Sequence, residues 1–174
     1  MGTSGVFGFY YQGKYYVIYN HWDSYPEGLG EDVVNEVTQV LLRQNLETWK
    51  TKVSQLKVVN EQIPPTADDI QRLSTFTNLE VSQRSTDDWY CLLRNCQGSL
   101  EEVLKSGYCL NHCDDNNLSD FGEYGYIVNL DNNTLDFYHY CSNDSPVVHC
   151  PVSFTFHQLP KDDASWCTCF QCED

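Results

Sequence analysis

The stretch that decides how the fold begins is Val6-Phe-Gly-Phe-Tyr-Tyr-Gln-Gly-Lys-Tyr-Tyr-Val-Ile-Tyr19. Its two halves, 6–11 and 15–19, are rich in aromatic and β-branched residues, which favour β-strands. Only three residues, 12–14, separate them, and Gly13 lies among these. A short glycine-containing link between two such runs is typical of a tight turn. The sequence therefore predicts a β-hairpin at the start of the chain.

Helical patterns follow in the middle of the chain. Residues 31–58 contain neither Gly nor Pro, and their apolar residues recur at helical spacing, which predicts one long helix or two helices with a break near Asn45. Thr66-Ala-Asp-Asp69 fits a capping box and predicts a short helix to about Asn78. The same cap chemistry predicts two more helices, which begin at Ser85-Thr-Asp-Asp88 and Ser99-Leu-Glu-Glu102.

Strand-forming runs return in the last third of the chain. Residues 124–130 and 135–141 flank a polar turn and predict a second hairpin, and 152–157 predicts a further strand. Strands at both ends with helices between them predict an α+β fold in a single domain, 1–160. We expect one antiparallel sheet, built from the N-terminal hairpin and the C-terminal strands, with the helices packed on it. Residues 161–174 are expected to form a cysteine-rich acidic tail.

Charge limits the classes of partner. Ten Lys and Arg face 25 Asp and Glu among 174 residues, which gives a formal net charge of −15. A field of this sign repels nucleic acids and anionic membranes, so we expect neither as a partner. The acidic surface is interpreted as a source of solubility, with a surface that imitates DNA phosphates as the alternative. The chain shows no secretory signal pattern and no apolar run of about 20 residues, so a cytoplasmic location is expected.

The most informative loop is 19–30. It concentrates hydrogen-bonding side chains at Tyr19, Asn20, His21, Asp23, Ser24 and Tyr25. A histidine beside a carboxylate suits general acid–base catalysis, and Ser24 is a candidate nucleophile with His21 as its base. Tyr19, Asn20, Tyr25 and Arg94 are candidate ligand-binding residues. The other interpretation is a rigid loop whose polar side chains satisfy their own backbone, with Arg94 paired to a carboxylate.

The nine cysteines include two clusters with spacings that suit a metal. Close thiolates are typical ligands of tetrahedral zinc, and zinc is the only cofactor the sequence suggests. Disulfides and unpaired thiols are the alternatives. The five candidate ligands are Cys109, Cys113, Cys167, Cys169 and Cys172. Cys91 and Cys96 lie on an apolar helix face and are expected to pack in the core.

Several motifs resemble an uncharacterised family found in phages, large DNA viruses and scattered cellular genomes. The resemblance rests on Met1-Gly-Thr-Ser-Gly, on Tyr19-Asn-His-Trp-Asp-Ser-Tyr-Pro-Glu-Gly-Leu-Gly30 and on Ser85-Thr-Asp-Asp-Trp-Tyr-Cys-Leu-Leu-Arg94. It covers most of residues 1–160. The chain departs from the family pattern at Ser4, where Arg is expected, and in the cysteine-rich tail. No activity follows from the resemblance.

Three functions remain open at this level. The first is a small acidic interaction protein of viral or phage origin, either a minor virion component or a protein that binds a host factor, in the host cytoplasm or the virion. The second is a small hydrolase or ligand-binding enzyme with its site in loop 19–30. The third is an acidic inhibitor that mimics DNA. A protein partner is expected for the first, whereas the oligomeric state is not predicted.

Overall fold

A computed structural model describes residues 2–113, 116–118, 122–139, 151–162 and 165–166. Its centre is a five-stranded sheet in the order β2-β1-β5-β6-β7. The strands are β1 (Gly5–Tyr11), β2 (Lys14–Asn20), β5 (Tyr124–Asn129), β6 (Thr134–His139) and β7 (Val152–Thr155). The predicted α+β fold, with the first hairpin and the late strands in one sheet, is confirmed.

Turn geometry explains the first hairpin. Gln12 and Gly13 both adopt a left-handed backbone, with φ of 51° and 74°. A two-residue turn with positive φ at both positions matches the natural twist of a hairpin. Asp131 reinforces it from the second hairpin, because its carboxylate accepts the N–H groups of Gln12 and Gly13 at 2.9 and 3.2 Å.

One pairing in the sheet differs from the expected antiparallel arrangement. β1 runs parallel to β5, whereas the other neighbours are antiparallel. The middle of the chain crosses from one end of the sheet to the other between these strands, so β5 enters in the same direction as β1. Such a long crossover is what parallel pairing requires.

The first helical region is two helices, α1 (Glu31–Leu42) and α2 (Leu46–Ser54). The break falls at Gln44, whose φ is 55°, beside the predicted Asn45. α2 places Trp49 edge-on against Phe9 of β1, with ring centroids 5.6 Å apart. This contact packs the helical layer on one face of the sheet.

The later helices are short. α3 (Ala67–Arg72) begins with the predicted capping box of Thr66 and Asp69, but it ends well before Asn78. α4 (Trp89–Leu92) is a single turn capped by Asp88 rather than Ser85, and the 3₁₀ turn Arg94–Cys96 follows it. α5 (Leu100–Ser106) begins at the Ser99 cap, as predicted, and ends at Gly107 in a left-handed conformation.

A second sheet was not predicted. β3 (Lys57–Val59) and β4 (Tyr108–Leu110) form a two-stranded parallel sheet. The sequence pattern placed residues 57–58 at the end of a helix and predicted no strand at 108–110. Each strand has three residues, so neither shows enough alternation for the period to be read.

The core lies between the five-stranded sheet and the helices. Aromatic side chains fill much of it, and Tyr126, Phe137 and Trp166 are almost fully buried. The indole of Trp166 lies 4.9 Å from the Phe137 ring centroid and 5.4 Å from that of Tyr126. A residue from the expected tail region thus packs in the core. Within the described part of the chain, none of the helices has the length and apolar character needed to cross a bilayer.

Strand β2 is the edge of the large sheet, and side-chain amides cover most of it. Asn111 accepts the N–H of Val17 at 2.9 Å and donates to the C=O of Tyr15 at 3.1 Å. Asn116 accepts the N–H of Tyr15 at 2.8 Å and donates to the C=O of Gly13 at 2.7 Å. These amides occupy backbone groups that would otherwise be open to another strand.

Candidate functional site

The backbone of loop 19–30 is regular in its second half. Pro26–Gly30 forms one turn of π-helix that leads directly into α1, whereas the sequence predicted only a loop there. Pro26 stands at the start, where its missing N–H costs nothing. The N–H of Leu29 donates to the C=O of Asp23 at 3.0 Å and closes the loop.

Two of the predicted site residues hold the loop from inside. Asn20 is nearly buried and Ser24 has no exposed surface. The Asn20 amide donates to Ser24 Oγ at 2.9 Å, and Ser24 Oγ donates to the C=O of Asn20 at 3.4 Å. The Tyr126 hydroxyl donates to the C=O of Ser24 at 2.9 Å, and the N–H of Ser24 donates to the C=O of Thr3 at 3.0 Å. These polar groups therefore form hydrogen bonds that stabilise the loop.

The close fit of Ser24 requires a glycine on the neighbouring strand. A Cβ atom at Gly5 would lie 2.8 Å from Ser24 Cβ and 2.4 Å from the C=O oxygen of Tyr124. Only glycine lets the loop approach the strand this closely. The loop is therefore fixed to the sheet at its buried centre.

The other predicted residues of the loop face outward. His21 is exposed, and its Nδ1 lies 3.0 Å from the Tyr19 hydroxyl. Asp23 is exposed and adopts a left-handed backbone with φ of 53°. Trp22 is 54% exposed and Tyr25 is 38% exposed. The same loop that buries Asn20 and Ser24 thus presents two large aromatic side chains to solvent.

The structure does not bring His21, Asp23 and Ser24 together as a catalytic group. The Ser24 hydroxyl is bonded to Asn20, and full burial keeps it away from a substrate. The His21 ring lies in hydrogen-bond contact with the Tyr19 hydroxyl, and the backbone N–H of His21 donates to Gln97 Oε1 at 3.3 Å. Their catalytic role stays a prediction that these contacts do not favour.

Arg94, the fourth predicted ligand-binding residue, lies outside the loop. It opens the 3₁₀ turn and is partly buried. Among the described residues it forms no ion pair. Its predicted pairing with a carboxylate is therefore not seen there.

The cysteine clusters are only partly described. Cys109 is fully buried in β4, and burial raises the pKa of its thiol to about 12. Cys113 is partly buried, whereas Cys167, Cys169 and Cys172 lie outside the described residues. No group of three or more metal-binding side chains occurs in the part of the chain that the structure describes. The zinc site stays a prediction.

A cleft that sequence analysis missed opens beside the loop. It has a volume of about 790 Å³, within the usual range for ligand pockets. Five stretches line it: the end of β2, the β3 strand with the following 60–62, the α4 and 3₁₀ region, Val103 of α5, and 108–113. They are far apart in sequence, so no local motif could reveal the cleft. Of the predicted residues, Tyr19 and Cys113 line it.

Asp69 fixes one wall of this cleft. Its carboxylate accepts hydrogen bonds from Lys57 Nζ at 2.7 Å and from the Tyr108 hydroxyl at 2.7 Å. It also accepts the N–H and the hydroxyl of Thr66 at 2.9 and 2.8 Å. The Lys57 bond, followed by the Thr66 and Tyr108 bonds, holds the pKa of Asp69 well below its usual range. α3 is thereby tied to both strands of the small sheet.

No protein-family model, curated protein or solved structure matches this chain. The resemblance to the uncharacterised family therefore stays a prediction. What the fold and the loop define is an acidic α+β protein with exposed aromatic side chains on an internally bonded loop and a cleft beside that loop.

Proposed function

We propose that this chain is an interaction protein that binds a protein partner through the outward side of loop 19–30. The observation that carries the proposal is the exposure of Trp22, 54%, on a loop whose centre is locked by Asn20 and Ser24. Trp and Tyr supply much of the binding energy of protein interfaces. A loop that is already ordered loses little conformational entropy when it binds.

Charge around the loop supports a partner with a basic surface. Asp23, Glu27, Glu31 and Asp32 are exposed beside the aromatic residues, and residues 15–42 contain no Lys or Arg. Carboxylates around an aromatic centre attract Lys and Arg, which also stack on Trp rings. The partner we propose presents basic residues around a contact for Trp22.

The buried hydroxyl of Ser24 makes this proposal preferable to the hydrolase. The resemblance to a family with viral members supports two finer forms of it: binding of a host factor, or a place in a virion as a minor component. In both forms the surface of loop 19–30 makes the contact.

Photo-cross-linking in extracts of the source cells tests the proposal. A photoreactive phenylalanine analogue is placed at position 22 and, as the control, at position 42, because Leu42 is 72% exposed on α1. We expect a discrete adduct from position 22 and none from position 42. Excess wild-type protein should remove the adduct, whereas the Trp22→Ala variant should not compete. The yield should also fall as the salt concentration rises, because exposed charges are screened.

Two results would contradict the proposal. One is the same set of adducts from both positions, which would indicate non-specific capture. The other is equal competition by wild type and Trp22→Ala, with both folded according to circular dichroism. Glu27→Gln with Glu31→Gln separates charge from contact: it should weaken the competition at low salt and leave the fold unchanged.

A further inference from the structure

The cleft carries an inference that does not depend on the exposed Trp22, because Trp22 is not among its lining residues. It separates the end of β2 from the small sheet, and its walls come from elements held by hydrogen bonds. Asn111 ties one wall to β2, Asp69 ties another to α3, and Gln97 accepts the N–H of His21. A cleft whose walls are held in this way is already formed before a ligand binds, so binding costs little conformational entropy.

The chemistry of the lining disfavours an anionic ligand. Lys and Arg are absent from its side chains, and Glu61 contributes a carboxylate. A phosphate or carboxylate group would therefore meet repulsion from Glu61 and no Lys or Arg among the lining residues. Asn60, Gln62 and Gln97 bring side-chain amides to the lining, and an amide can both donate and accept. The oxygens of Asn60 and Gln97 each accept one backbone N–H, from Gln62 at 2.8 Å and from His21 at 3.3 Å, and an amide oxygen has a second lone pair for a ligand.

Flat and apolar surfaces accompany these amides. Tyr90 is partly exposed at the cleft, and Tyr19 and His112 lie with ring centroids 5.6 Å apart on another wall. Leu93 and Leu110 add apolar contact. Amide pairs recognise the donor and acceptor edges of nucleobases, and aromatic side chains stack on their faces. A wholly apolar ligand would leave the amides without partners.

We propose that this cleft binds an uncharged nucleoside or nucleobase, with the amides of Gln62 and Gln97 on its polar edge and Tyr90 against its ring. The ligand is a free small molecule, because the acidic surface of the chain opposes a nucleic-acid strand. Trp22 does not line the cleft, so the failure of one proposal leaves the other standing.

Calorimetric titration with four nucleosides (adenosine, guanosine, cytidine and uridine) tests this proposal. We expect at least one nucleoside to bind with a Kd below about 1 mM. Its 5′-monophosphate should bind at least about tenfold more weakly than the nucleoside does. Tyr90→Ala should weaken nucleoside binding about tenfold or more, because it removes a stacking surface. Leu42→Ala, which shortens an exposed side chain of α1 outside the cleft, should bind as the wild type does.

A second variant keeps the test decisive if Tyr90→Ala unfolds. Glu61→Gln changes an exposed side chain and should preserve the fold, while it raises the affinity for the 5′-monophosphate relative to the nucleoside. The proposal would be overturned by no binding of any nucleoside up to about 10 mM. It would also be overturned by equal affinity for nucleoside and monophosphate, or by tighter binding of methyl glucoside than of every nucleoside.

Discussion

At the scale of single residues, Asp69 shows how one carboxylate joins distant parts of the chain. It completes the capping box of α3, forms an ion pair with Lys57 and accepts a hydrogen bond from the Tyr108 hydroxyl. Only 4% of its side chain is exposed. Asp68, its neighbour, pairs with Arg72 instead, and both of those side chains are 67% exposed. The two adjacent aspartates therefore form a natural comparison between a buried hub and a surface ion pair.

Asp69→Asn should lower the free energy of unfolding by about 2–3 kcal/mol. The asparagine NH2 group cannot accept a hydrogen bond, so it would lie against donors that the carboxylate accepted in four hydrogen bonds. Asp68→Asn is the matched control and should stay close to the wild type, since exposed ion pairs contribute little. Urea unfolding followed by fluorescence measures both, and equal losses would contradict the assigned role of Asp69.

The same residue predicts a dependence on pH. The pKa of Asp69 is lowered in the folded state, so the unfolded chain binds its proton more readily. The stability that Asp69 supplies is therefore present above its ordinary pKa, near 4, and is lost as the pH falls below that value. The difference in unfolding free energy between wild type and Asp69→Asn should shrink from about pH 6 to about pH 2. A constant difference over this range would show that the ionised carboxylate is not the cause.

Buried thiols give a second prediction at this scale. Cys96 and Cys109 are buried, and the loss of solvation raises the pKa of each thiol to about 12. Because the thiolate is the reactive form, both should resist iodoacetamide in the native protein and react after unfolding in urea. Peptide mass mapping measures the labelling, with the partly buried Cys113 as the comparison. Native labelling of Cys96 or Cys109 at the rate of Cys113 would contradict the burial of these thiols.

At the scale of elements, the features that depend on residues close together in sequence were predicted, whereas those that depend on distant residues were not. The turn at Gln12 and Gly13, the Thr66 capping box and the Ser99 cap depend on a few adjacent residues, and all three were predicted. The three-residue strands β3 and β4 carry too short a pattern, and each exists because the other is beside it. The cleft has the same origin in tertiary packing, so its lining could not be found from a motif.

The covered edge of β2 leads to a prediction about association. Asn111→Ala removes the amide that occupies the N–H of Val17 and the C=O of Tyr15, so these groups become open to another strand. The variant should lose about 1–2 kcal/mol of stability and form dimers or larger species as concentration rises. Light scattering after size-exclusion chromatography measures the mass. Asn45→Ala, at an exposed position without a side-chain cap bond, is the control. A variant that keeps the mass of the wild type at every concentration would show that the amide does not protect the edge.

At the scale of the whole molecule, the core joins residues from both ends of the described chain. Trp166 packs its indole against Phe137, Tyr126 and Phe154, with ring centroids between 4.9 and 5.6 Å. A Cβ at Gly30 would lie 3.2 Å from the same indole, so the start of α1 also packs close to it. Sequence analysis assigned this residue to the tail because the surrounding cysteines and acidic residues give no periodic pattern. The burial of Trp166 depends on tertiary contacts with side chains that are distant in sequence, and a local pattern does not record such contacts.

Trp166→Ala should therefore lower the free energy of unfolding by about 3–5 kcal/mol, because it leaves a large cavity between the sheet and α1. Trp22→Ala is the matched control: it removes the same side chain from an exposed position and should change stability little. Urea unfolding followed by circular dichroism measures both without relying on the indole that is removed. If the two variants lost the same stability, Trp166 would not be part of the core. A large loss for Trp166→Ala and not for Trp22→Ala would show that Trp166 helps to hold the sheet to the helices. The Trp22 side chain would then be one that the fold does not need and that a partner can contact.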